Sequence, residues 1–101
     1  GDIMEEYRGW KKECLDDLPI PKEWQDVSYS NDVNPSYQYK GWQIYIAEKD
    51  ISKREYPEMV DRFQICNALY YGYEQKWHTF NNFDDVLNFV KTTYAKWIFT
   101  S

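Results

Sequence analysis

Few side chains in this sequence could carry chemistry. His78 is the sole histidine, and Cys14 and Cys66 are the only cysteines. A thiol becomes a useful nucleophile when a base takes its proton and a third group orients that base. Strand alternation puts His78 opposite Trp77 and on the face of Cys66, so a Cys–His pair is conceivable. No third group stands with it. Seventeen acids offer many carboxylate pairs, and no spacing singles one out. Asp32-Val33-Asn34-Pro35-Ser36 imitates the first ligands of a calcium loop. Tyr37 then occupies the position that needs glycine, and Gln43 the position that needs Glu, so the imitation fails. No C-x-x-C, H-E-x-x-H, G-x-S-x-G or phosphate-cradling glycine loop occurs. The expectation is therefore no metal and no cofactor, and the reading leans away from an enzyme.

Residues suited to recognition are easier to find. Tyr45, Tyr70 and Tyr71 fall off the apolar faces of the predicted strands, and exposed tyrosines near a sheet surface are typical of contact patches. Beside them runs Glu48–Asp61, a charged crossover between two hairpins that holds Glu48, Lys49, Asp50, Lys53, Arg54, Glu55, Glu58 and Asp61. Connections of that length often carry binding residues. Arg54 and Glu55 lead there, because arginine offers a planar fork for carboxylates and stacks on rings. The plainer reading is a solvated crossover, with one helical turn, in which Arg54 and Glu55 only pair locally.

The charge balance narrows the partner. The net charge is −5, and residues 1–32 hold nine acids against four bases, leaving eight of each for the remainder. Direct binding to nucleic acid needs concentrated Lys and Arg, which the chain lacks. An anionic first third could meet a basic protein, or it could be plain solvated surface. The leading function is a small non-catalytic protein-binding or regulatory module. One alternative is an acidic inhibitor of a nucleic-acid-handling enzyme, its carboxylates imitating phosphates. Another is a small enzyme using dispersed carboxylates with Cys66 or His78.

These side chains need a scaffold, and 101 residues suffice for one domain spanning 1–101. Trp 5, Tyr 10 and Phe 5 make the chain 20% aromatic, which supplies the large buried surfaces a small domain requires. Ile3, Tyr7, Trp10 and Cys14, with Leu15 and Leu18, form one face of a predicted N-terminal helix that Pro19 and Pro21 end. Asp16 and Asp17 sit in its last turn, where the helix dipole prefers cations. A short strand over Asp26–Asp32 is predicted at an edge, which leaves room for a homodimer.

Two hairpins follow. A two-residue turn at Lys40-Gly41 pairs Tyr39 with Trp42 and Tyr37 with Ile44, gathering Tyr37, Tyr39, Trp42, Ile44 and Ile46 on one face. A three-residue loop at Tyr70-Tyr71-Gly72 pairs Leu69 with Tyr73 and Ile65 with Trp77, so that Phe63, Ile65, Leu69, Tyr73 and Trp77 share a face. Asn82 caps a second helix whose stripe is Phe83, Val86, Leu87, Val90, Tyr94 and Trp97. The fold class is α+β: four or five antiparallel strands built from two hairpins, with an N-terminal and a C-terminal helix on one face. The expected core is Trp42, Ile44, Ile65, Leu69, Trp77, Val86, Leu87 and Val90, with Tyr7 and Trp10 closing over it. The helix–strands–helix order resembles double-stranded-RNA-binding domains in topology, without the basic contacts that such domains use.

No stretch approaches the roughly 20 apolar residues that span a bilayer. Cys14 and Cys66 are expected as unbridged buried thiols in a reducing compartment. Reading Gly1–Ile3 as a cloning remnant and Met4 as the start implies a cytoplasmic protein without a membrane partner.

Overall fold

The computed structural model describes residues 15–28, 34–54, 60–69 and 76–95. Five antiparallel strands form one sheet: β1 (Gln25–Asp26), β2 (Ser36–Tyr39), β3 (Trp42–Ile46), β4 (Phe63–Asn67) and β5 (Trp77–Phe80). Their spatial order follows their chain order. Helix α1 (Phe83–Thr92) covers one sheet face. The expected N-terminal helix falls mainly on residues 1–14, outside the described residues; Leu15 is helical, and Leu15, Leu18 and Ile20 pack against the core.

The first hairpin has the predicted register, with Tyr39 opposite Trp42 and Tyr37 opposite Ile44. Lys40 and Gly41 have φ of 50° and 83°, so both central residues of the turn are left-handed. That is the geometry whose twist suits a two-residue hairpin. Glycine adopts it without steric penalty, and lysine adopts it at a cost. The Lys40 ammonium lies 5.2 Å from the Tyr39 ring centre and 5.9 Å from that of Tyr94, contacts that offset part of that cost.

Strand β1 is shorter than Asp26–Asp32. Beyond Asp26 the Ser28 hydroxyl accepts from the Ser36 amide at 3.0 Å and donates to the Ser36 carbonyl at 3.2 Å. The Ser36 carbonyl also accepts from the Val27 amide at 3.0 Å, so the Ser28 side chain takes over the pairing of the Ser36 amide just beyond the end of β1. Tyr29 lies outside the described residues.

The second hairpin departs from its predicted register by one residue. Strand β4 pairs Ile65 with His78 and Cys66 with Trp77, and β5 begins only at Trp77. Each residue of β5 therefore takes the face opposite to the expected one. Phe80 meets Phe63 on the helix side, while Trp77 turns away and is 50% exposed. The advantage of this register is that His78 and Phe80 both reach Phe89 of α1, at ring distances of 4.8 and 5.4 Å. Tyr70, Tyr71 and Tyr73 lie outside the described residues.

Helix α1 begins as predicted: the Asn82 side chain accepts from the Asp84 amide at 2.8 Å. Asp84 and Asp85 occupy its first turn and Lys91 its last, each sign at the end the dipole favours. It ends at Thr92, so Tyr94 lies beyond it and is 68% exposed rather than part of the stripe; Trp97 lies outside the described residues. Phe83, Val86 and Val90 are buried, Leu87 only partly, and Phe89 packs on Trp42 at 5.0 Å.

The core lies between this helix and the sheet: Trp24, Trp42, Ile44, Ile46, Phe63, Ile65, Phe83, Val86 and Val90. Leu69 is partly buried, and Trp77 leaves the core, its expected place opposite Ile65 being taken by His78. Trp24, ahead of β1, packs against Phe83 at 5.6 Å and Tyr37 at 6.1 Å. The Trp42 indole N–H donates to the Thr93 carbonyl at 2.8 Å, fastening the end of α1 to the start of β3.

Candidate binding surface

Two regions concentrate the candidate residues, and the structure uses them differently. The first is the crossover after β3. Asp50 caps a single 3-10 turn, Ile51–Lys53, by accepting from the Ser52 amide at 3.0 Å and the Ser52 hydroxyl at 2.7 Å. Those bonds hold the Asp50 carboxyl below its ordinary pKa of 3.8. Arg54 follows, and it points inward. It is only 9% exposed; its Nε donates to the Glu48 carbonyl at 2.8 Å and one terminal nitrogen to the Val60 carbonyl at 2.9 Å. Burial, and then the nearby positive charge of Arg62, lower its pKa, against the opposing pull of Asp50, Asp61 and Glu48. The expectation was an exposed fork for a partner. The structure instead spends that fork on backbone carbonyls at the two ends of the crossover. Glu55 lies outside the described residues.

Arg62, which sequence reasoning passed over, is the second buried cation at this corner. Its Nε donates to the Ala47 carbonyl at 3.0 Å, and its two terminal nitrogens grip the Asp17 carboxylate at 2.7 and 2.9 Å. The guanidinium also lies 5.3 Å from the Phe63 ring centre. Asp17 looked misplaced at a helix C-terminus; here it ties the first described segment to the head of β4. The hydrogen bond from Arg62 is the main reason its pKa falls below 3.8. The Arg62 amide donates to Asn81, and Asn81 in turn donates to Asp61, at 3.0 and 2.9 Å. This corner is a structural clasp.

The second region is the sheet face opposite α1. Pleating and the observed register assign to it Ser36 and Gln38 of β2, Gln43 and Tyr45 of β3, Gln64 and Cys66 of β4, and Trp77 and Thr79 of β5. None of these side chains is charged at neutral pH, in a chain that is 29% charged. Ser36 and Cys66 are buried, Gln38, Gln43, Tyr45 and Gln64 are half-buried, and Trp77 and Thr79 are exposed. The Tyr45 and Trp77 rings lie 5.7 Å apart and tilted at 56°. Of the five residues expected at a binding site, Tyr45 alone falls here among the described residues.

The register also decides the Cys–His question. Cys66 pairs with Trp77 on the face opposite α1, whereas His78 sits on the core face, its ring 5.7 Å from Trp42 and 4.8 Å from Phe89. They lie on opposite faces of the sheet, so the two cannot act as a nucleophile and its base, and Cys66 is a buried thiol. Cys14 lies outside the described residues. Among the described residues, no group of three His, Cys, Asp or Glu is placed to hold a metal ion, and no helix is long and apolar enough to cross a membrane. No known protein family matches the chain, and no curated protein or solved structure does so either.

Proposed function

We propose that this chain is a small non-catalytic protein-binding module whose working surface is the sheet face opposite α1. The observation that carries the reading is Trp77, half exposed in the second hairpin beside Tyr45, on a face without charge. Half of a large aromatic surface left in water forfeits burial free energy that a partner covering it would gain. Tryptophan and tyrosine are also the side chains that most often dominate binding energy. The crossover contributes by tying the end of β3 to the start of β4 through Arg54 and Arg62, a supporting role.

In this reading a second, N-terminal helix joins α1 on the core face. Leu15, Leu18 and Ile20, already packed on that core, support it. A reducing compartment such as the cytoplasm suits the buried Cys66 thiol.

The test is capture by the immobilised full chain, compared with Trp77→Ala and Tyr45→Ala, each first shown to fold by circular dichroism. The reading expects a specific protein retained by the wild type and lost from Trp77→Ala. Equal retention by the wild type and both variants would remove this face as the site.

A further inference from the structure

We draw no further inference here: the strongest candidate, the surface patch on the crossover between β3 and β4 where the apolar side chains Ile51 and Val60 are exposed, carries nothing because nothing in the structure shows what covers it.

Discussion

Substituting Asp17 by Asn should destabilise the fold at neutral pH and leave it nearly unchanged in strong acid. Asparagine has almost the shape of aspartate, so the change removes charge and one acceptor without opening a cavity. The Arg62 guanidinium, 7% exposed, then retains its bond to the Ala47 carbonyl but loses the two-pronged carboxylate grip. Hydrogen bonds to charged groups are worth about 1.5–3 kcal/mol when buried. The Asp17 side chain is 34% exposed, so solvent screens part of that, and about 1–2 kcal/mol is expected at pH 7. For a domain of this size each kcal/mol lowers Tm by about 4–8 °C. The pH dependence follows from the direction of the pKa shift. Asp17 titrates lower in the folded chain than its ordinary 3.8. Its contribution is therefore complete above that value and is lost as pH falls through the lower folded value. Urea denaturation of wild type, Asp17→Asn and the exposed control Asp16→Asn, from pH 7 down to pH 2, measures the gap. It should be present at pH 7, close towards pH 2, and be absent for Asp16→Asn throughout. A gap of the same size at both ends of the range would refute the ionic clasp and leave only packing.

Gly41→Ala should cost about 1–3 kcal/mol, because φ is +83° and the new Cβ would lie 2.9 Å from both Ala95 Cβ and Leu69 Cδ1; thermal unfolding measures it, and a neutral result would contradict the turn geometry. Val86→Ala, at a fully buried site on α1, should cost about 1–3 kcal/mol in urea denaturation, and a smaller loss would mean the helix does not press on the sheet there. Arg54→Ala should destabilise the chain by about 1–3 kcal/mol, since it strips donors from the Glu48 and Val60 carbonyls, while leaving Trp77-dependent capture intact in the folded fraction; lost capture with unchanged stability would restore Arg54 as a contact residue.

The parts of the fold that are legible in the sequence are those fixed by a single strong local constraint. Hairpin β2–β3 is one. Lys40-Gly41 allows one tight turn, and only that turn segregates Tyr37, Tyr39, Trp42, Ile44 and Ile46 from Ser36, Gln38, Gln43 and Tyr45. The start of α1 is another, because Asn82 meets the local need for an acceptor at the helix end. The β4–β5 register is illegible for the opposite reason. Trp77 and His78 are adjacent, both aromatic, and either can face a core. The decision comes from α1, whose Phe89 receives His78 and Phe80, and no pattern within the hairpin encodes that contact. Arg54 misleads in a similar way. Its run of charged neighbours reads as solvent-facing, yet its fork closes on carbonyls of its own loop. The Arg62–Asp17 pair joins residues 45 apart in sequence, beyond the reach of any spacing rule. That the strand residues facing away from α1 carry no charge becomes visible only once the register is known.

The meander order of the sheet has a kinetic consequence. Each strand pairs with the strand next to it in the chain, so the sheet can grow by successive local closures without a crossover. Chains built from such near-neighbour contacts search quickly, because little loop entropy is lost before a contact forms. The contacts that span the chain, Trp42 to Thr93 and Arg62 to Asp17, then form on the downhill side of the folding barrier. Weakening them should speed unfolding while leaving the folding rate nearly constant, whereas a disturbed Lys40-Gly41 turn should slow folding itself.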